Sequence, residues 1–496
     1  MTSNDAFTQL PTPVAVPLRA SPRFLSRFSA IRTSMFAGAW VVAGALSTAS
    51  PALASGYLNP RLADPHGHPA LSNPYAIYFN PAALGGLQGT HLVVDGTLVW
   101  RTADFTRDAS GLSPQSANSL GDPSYVAANT GSAHASNLVG IPFIAASSDF
   151  GQRNFFAGVG AYVPFGGVAK FSQRDEYAGN TQVYGAVDGP QRWGLISGAQ
   201  QVLFTTAAIG FRLPDERISL AVSGSAVFSS IAHYQARNLA GNDDIASEGR
   251  ALLDVSGVQG SMTVGAYWEP LPDHKLRFGA SYAVRPGFGE TRLRGSLRQH
   301  SPAYNIDKDV DFLLMYPDVI RVGAAAMPWG PSVELRLDAE YVLWSAFERQ
   351  CVVERGQNCN IGADGAETGT GPQAQVLLAL TRKWKNAGAV RAGVGYFLDE
   401  KTELYGSVGF DTSAVPKATL EPTYPDAFKL MGSVGARRQV SNGIVLGASY
   451  TYVGYLSVDS GHQNLYGLAG ASRVPNEDGT HGSKLMFFNV NAAFAF

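Results

Sequence analysis

Lys484-Leu-Met-Phe-Phe-Asn-Val-Asn-Ala-Ala-Phe-Ala-Phe496 closes the 496-residue chain, and its reading decides the fold. One parity (Met486, Phe488, Val490, Ala492, Phe494, Phe496) is apolar throughout, while the other carries Asn489 and Asn491. Strict alternation belongs to a strand with two unlike faces. A strand that alternates to the last residue also has an edge that must be paired.

An aromatic residue at the end of such a strand resembles the terminal signature of bacterial outer-membrane β-barrels. The composition agrees. Only 15% of residues are charged, and Gly (55), Phe (26) and Tyr (20) are abundant. Beyond the N-terminus no run of ~20 apolar residues exists, which excludes a helical membrane bundle. A barrel needs no such run, because half of each strand faces water. Two cysteines exclude a disulfide scaffold or a cysteine-rich metal site. The net charge of −2 becomes more acidic once the arginine-rich N-terminus is set aside, and this argues against nucleic acid as a partner.

Residues 1–54 read as a cleaved signal peptide with a long basic region. Arg19, Arg23, Arg27 and Arg32 precede a short apolar core, Met35 to Leu46, and Ala52-Leu53-Ala54 is a small-x-small cleavage site. The alternatives are an anchor helix, or a start at Met35 or another internal site. Residues 55–90 are dense in Pro and Asn (Asn59-Pro60, Asp64-Pro65, Asn73-Pro74, Asn80-Pro81), which makes turns and short helical pieces. This stretch is expected to fold into the lumen as a hatch, leaving 91–496 as the transmembrane β-barrel.

Fourteen strand-like segments follow residue 90, at 91–101, 138–148, 153–164, 201–213, 216–234, 252–269, 274–297, 309–329, 331–347, 374–385, 387–398, 427–438, 443–455 and 485–496. The turns alternate short and long. The short ones include Asp149-Phe-Gly-Gln152, Pro214-Asp215, Asn386-Ala-Gly388 and Ser441-Asn442; the long ones include 348–373, 399–426 and 456–484. Short periplasmic turns and long outer loops are the transmembrane-barrel pattern. The fold class expected is therefore all-β, an antiparallel barrel of about fourteen strands with an N-terminal plug. In 331–347, Glu334, Arg336, Asp338 and Glu340 alternate with Leu335, Leu337, Ala339 and Tyr341. A one-residue slip would drive the charges into lipid at about 2–4 kcal/mol for each Arg, so they face the lumen. By the same rule Arg277, Arg321, Arg391 and Arg437 face inward. Trp100, Trp193, Trp268, Trp329, Trp344 and Trp384 lie near strand ends, where they are expected in aromatic girdles.

Several segments then resemble one family. Tyr78-Phe-Asn-Pro-Ala-Ala-Leu-Gly-Gly-Leu-Gln-Gly-Thr90 resembles the hatch motif of the FadL/TodX outer-membrane transporters of long-chain fatty acids and other hydrophobic compounds. Gly158-Val-Gly-Ala-Tyr-Val-Pro-Phe-Gly-Gly167 is similar to that family too. So are Tyr316-Pro-Asp-Val-Ile-Arg-Val-Gly323 with Asp338-Ala-Glu-Tyr-Val-Leu-Trp-Ser-Ala-Phe347, and Arg391-Ala-Gly-Val-Gly-Tyr396 with Pro425-Asp426. The resemblance implies passive transport without an energy-coupling box. Substrate would be captured between outer loops and pass to an apolar pocket in the lumen. A hatch would block the way to the periplasm, and a kinked third strand would open the wall sideways. The stretch Pro60 to Tyr75 departs from the family, which is usually Gly- and Ala-rich there with acidic residues.

The candidate sites follow. Asn80, Pro81 and Ala82 are the hatch residues, with Asn bonding its own backbone and Pro setting the turn. Pro164 removes a ladder donor from the third strand and Gly166-Gly167 permits a bend, so these three are the candidate lateral gate; the alternative is that Pro164 ends the strand at the rim. Arg277, Arg321, Arg336, Arg391 and Arg437 are candidate lumen contacts for a carboxylate head group, or else members of a self-satisfied network that props the barrel. Cys351 and Cys359 are expected to pair in an exported protein. His66 and His68, with Asp64, are read as a plain plug loop with no metal. No Gly-x-Ser-x-Gly, phosphate loop or dinucleotide fingerprint occurs, so neither enzyme activity nor a cofactor is expected. The expected partners are hydrophobic small molecules, fatty acids or hydrocarbons, together with outer-membrane lipid, and the expected state is a monomer. Three readings stand beside fatty-acid transport: an aromatic-hydrocarbon transporter of the same build, a structural or adhesin-like barrel, and a barrel hydrolase.

Overall fold

In the first strand, Thr90–Arg107 (β1), every odd residue from Val93 to Arg107 is buried, while Leu98 and Trp100 are exposed. The last strand, Gly479–Ala495 (β19), follows the parity of its sequence, with Phe488 and Val490 outside and Leu485, Phe487 and Asn489 inside. The two pair antiparallel along their whole length, from His91↔Ala495 to Arg107↔Gly479. That ladder joins the two ends of one sheet, so the terminal strand has no free edge.

The computed structural model describes residues 66–112, 122–152, 154–214, 217–238, 241–271, 275–302, 305–360, 376–464 and 474–496. They belong to one compact unit, Ala49–Phe496, and the signal-peptide region, Asp64 and the start of the hatch lie outside them. Among the described residues no helix is long and apolar enough to cross a membrane. The first six traverses are β1, β2 (Gly131–Ser148), β3 (Phe155–Lys170), β4 (Ser197–Arg212), β5 (Ile218–Arg237) and β6 (Gly249–Leu271). The next four are each broken in two. They are β7 (Leu276–Val284) with β8 (Glu290–His300), β9 (Asn305–Met315) with β10 (Val319–Ala326), β11 (Val333–Val342) with β12 (Arg349–Glu354), and β13 (Val376–Thr381) with β14 (Ala387–Asp399). Then come β15 (Thr402–Asp411), β16 (Lys429–Ser441), β17 (Ile444–Tyr455) with the short β18 (Val458–Asp459), and β19. The result is a closed fourteen-stranded antiparallel barrel.

The count of fourteen agrees with the sequence reading, but through two differences that cancel. Segments 374–385 and 387–398 are one traverse, broken at 382–386, so Asn386 to Gly388 is no periplasmic turn. The strand β15, read as part of the loop 399–426, is a full wall member paired with β14 and β16. Its alternation is masked by Gly406 and Gly409, which leave Leu404, Val408 and Phe410 as its exposed apolar residues. The third strand runs on to Lys170, so Pro164 lies inside it and not at its end.

The four broken traverses neighbour one another, and the breaks at 343–348 and 382–386 hold inward aromatics. Trp344, Phe347 and Trp384 pack with ring centroids 4.8–6.1 Å apart. Trp344, Trp384 and Trp193 are therefore buried, not in girdles; Trp100, Trp268 and Trp329 are exposed. β6 has 23 residues, roughly 75 Å at strand rise, far more than a bilayer needs. Its first half, with β8, β9, β12 and β13, extends the sheet beyond the breaks. Cys351 and Cys359 are disulfide-bonded on this extension, Cα atoms 6.0 Å apart.

Candidate functional site

The segment 66–89 packs against the inner faces of the strands. Its helical turns, Ala76–Phe79 and Pro81–Gly86, are almost wholly buried. Asn80 fixes them. Its Nδ2 donates to the carbonyls of Pro69 and Ala266, both at 2.9 Å, and its Oδ1 accepts from Ala82 N at 3.2 Å. Pro81 opens the second turn, where a missing N–H costs nothing. The wall makes room with glycines: a Cβ at Gly279 would collide with the Pro69 carbonyl, and one at Gly158 would come within 2.8 Å of Leu84. Tyr75 Oη donates to Asp95 at 2.7 Å, Ser281 Oγ donates to the Phe79 carbonyl at 2.6 Å, and Arg321 Nη2 meets Tyr78 Oη at 2.9 Å. His68 uses both ring nitrogens, one with the Leu337 carbonyl at 3.1 Å and one accepting from Ala70 N. Among the described residues no cluster of three metal-ligating side chains occurs.

The wall is interrupted between β2 and β3. Their ladder runs from Ser148↔Ala157 to Phe143↔Tyr162 and stops. It is touched again near the rim, by the bridge Ala135↔Phe171 and by Asn137, whose side chain bonds both backbone groups of Lys170. Between these points 138–142 and 163–169 have no ladder pairs with each other, although each keeps its ladder to the neighbour on its other side. Two residues of β3, Val163 and Pro164, stand opposite one of β4, so the strand bulges there. Gly166 takes φ 149°, a conformation L side chains rarely adopt. A second proline, Pro142, sits on the facing strand, inside an apolar run that gives no local sign of a break. The last paired residues, Phe143 and Tyr162, stack at 5.3 Å and touch the inner segment through Tyr75 (4.8 Å) and Tyr78 (5.1 Å).

An apolar cluster lines the lumen beside this gap. It comprises Val99, Val139, Ile141, Val163, Met431, Val453, Leu485 and Phe487, from six strands. A polar wall lies on β7, β10, β11, β14, β15 and β16, and it shares β16 with the apolar cluster, since that strand carries both Met431 and Arg437. Glu334 bridges Arg277 and Arg336, and Glu403 bridges Arg336 (2.5 Å) and Arg437. Glu340 bridges Arg321 (2.7 Å) and Arg391 (3.3 Å), and Asp338 holds Arg391 at 3.1 Å. All five arginines proposed from the sequence are thus in ion pairs, and Arg321 is also bonded to the inner segment.

A closed barrel whose own N-terminal segment packs against its inner wall, with an interrupted ladder beside an apolar cluster, defines a class of plugged barrel. The chain belongs to the outer membrane protein transport protein family (OMPP1/FadL/TodX), whose pattern matches residues 67–496. Members of this family are outer-membrane transporters of hydrophobic substrates and not enzymes. A Pseudomonas aeruginosa FadL homologue shares the fold at TM-score 0.67 and 15% identity, over 90% of this chain and 98% of that one. The Ralstonia pickettii toluene transporter TbuX aligns at TM-score 0.56 and 15% identity (87% and 99%), and the P. putida toluene transporter TodX at 0.58 and 12% (87% and 99%). No curated protein matches the chain in sequence.

Proposed function

We propose that this protein moves long-chain fatty acids or similar hydrophobic molecules passively across the outer membrane, releasing them sideways through the wall at β3. The protein would be exported by a cleaved signal peptide and act as a monomer, with 66–89 as a hatch against the periplasm. One observation carries the reading: the β2–β3 ladder is missing beside the apolar lumen cluster. Elsewhere a barrel must satisfy its backbone groups within the sheet, so an opening here has to be built deliberately, by Pro142, Pro164, Gly166 and Gly167. Aromatic hydrocarbons are the second reading, favoured by the fold shared with two toluene transporters.

Cysteines at positions 138 and 168 would face each other across the gap, since the register on either side brings Leu138 opposite Gly167 or Val168. Oxidising that pair is expected to reduce uptake of labelled oleate, in a host lacking its own transporter, by roughly tenfold, and reductant should restore it. Unchanged uptake with a formed cross-link would reject lateral release. Comparing oleate with toluene in the same cells separates the two substrate readings.

A further inference from the structure

A cavity of about 40 Å³ lies in the extension beyond the breaks, between β5, β6, β9, β12 and β13 and the outer segments at 194, 421–424 and 474–477. That is room for roughly three waters, or for a hydroxyl and its first carbons. One side is apolar, with Leu253, Phe312 and Leu380. On the other, polar side chains answer one another. His233 Nε2 bonds the Gly194 carbonyl and Gln235 Oε1, both at 2.8 Å. Arg382 pairs with Glu421 at 2.8 Å and donates to Gln350 at 2.9 Å. Glu477 is the exception: it is 3% exposed, and neither carboxyl oxygen has a partner among the described residues. Its backbone is tied on both sides. The Asn476 carbonyl accepts from Arg107 at 2.6 Å, and the Asp478 carboxylate accepts from Ser460 at 2.6 Å. A Cβ at Gly194 would collide with the Glu477 carboxyl, so that glycine makes its room. A buried polar group left unpaired in a fixed place calls for a guest that pairs with it. Arg107 and Arg382 stand against a cation there, and Glu421 against an anion.

We propose that this cavity binds the hydroxyl end of an otherwise apolar molecule, with Glu477 as the residue that selects it. This rests on the transport reading above and extends its substrates to hydrophobic alcohols. Burial keeps the Glu477 carboxyl protonated to higher pH than usual. A hydroxyl is neutral and pairs with such a carboxyl in both directions: its O–H donates to the carbonyl oxygen, and its oxygen accepts from the carboxyl O–H. The first carbons of the guest then lie against Leu253, Phe312 and Leu380. A hydrocarbon of the same size would leave Glu477 unanswered, and that loss is what lets a hydrogen-bonding site reject an isostere.

The test is equilibrium binding of labelled n-hexanol and labelled n-heptane, which has a methyl in place of the hydroxyl. The purified full-length protein in non-ionic detergent is compared with Glu477→Leu and Glu477→Gln. From the native protein to Glu477→Leu the hexanol-to-heptane affinity ratio should fall roughly tenfold to a hundredfold. Heptane binding should persist in Glu477→Leu, which also shows that it is folded. Glu477→Gln, with a donor and an acceptor, should keep most of the ratio. A ratio unchanged in Glu477→Leu overturns the site. Failure of the native protein to bind hexanol overturns it as well, leaving the cavity to water and hydrophobic transport standing. So does loss of both ligands in both variants, which assigns Glu477 to loop packing. If cells carrying the native protein take up neither oleate nor toluene, the transport reading itself falls.

Discussion

The two sides of the lumen answer the same problem in opposite ways. On the side of β7, β10, β11, β14 and β15, inward positions are charged, and carboxylates bridge the guanidinium groups in two chains, Arg277–Glu334–Arg336–Glu403–Arg437 and Arg321–Glu340–Arg391–Asp338. On the side of β1, β2, β3, β17 and β19, the inward positions beside the gap, Val99, Val139, Ile141 and Val163 among them, are apolar and the wall is open. Paired charges fix their strands in register and leave few groups for a ligand. An apolar face beside an open ladder offers surface that only an apolar guest can cover. The difference teaches that charge in a lumen is not by itself a sign of a binding site; what matters is whether the charge is already answered.

The largest expected effect lies on the charged side. Arg336→Met would leave Glu334 and Glu403 each short of a partner in a buried setting, at a cost of about 3–5 kcal/mol. The unfolding temperature in detergent should fall markedly, while oleate uptake by the folded fraction stays. If the variant keeps its stability but loses uptake, the two sides have been assigned the wrong way round.

Asn80→Ala is expected to act less strongly, through the segment that spans between the two sides. Three hydrogen bonds go with it, including the one to the Ala266 carbonyl on the wall. Each is worth about 1 kcal/mol net, and the unsatisfied carbonyls add to the loss. Leakage of small solutes, such as a chromogenic β-lactam, should rise while the barrel stays folded. Unchanged leakage would mean that the segment is held without Asn80 and that the Tyr75–Asp95 and Arg321–Tyr78 contacts suffice.

Much of this was legible in the chain, and the rest was not for definable reasons. Parity assigned Glu334, Arg336, Asp338 and Glu340 to the lumen because a slip there is so costly. It failed at β15, where glycine erases the outer face, and at 382–386, where a break within one strand resembles a turn between two. Pro164 stood out because proline inside a strand has one physical consequence wherever it lies. That carboxylates already answer Arg277, Arg321, Arg336, Arg391 and Arg437 was not legible, because pairing across strands far apart in the chain carries no local signal.

The smallest expected effect sharpens the contrast between answered and unanswered charge. Glu477, in the outer loop segment before β19, is also buried, and neither carboxylate oxygen has a partner. Burial, with Glu421 nearby, pushes its pKa well above the usual carboxyl range, against the pull of Arg107 and Arg382. Glu477 can therefore accept burial as a neutral acid, a course closed to the arginines of the charged wall. The sign of the linkage follows. With the folded pKa raised, the open loop gives up its proton first, so the packed loop is most stable below about pH 4 and loses stability as pH rises from there towards the raised value. Hydrogen exchange at 474–478 should be slower at pH 5 than at pH 8 after correction for intrinsic rates, and Glu477→Gln should flatten the difference. If the corrected protection is the same at both values in the native protein, Glu477 is answered by a partner after all and holds its proton no more tightly in the packed loop than in the open one.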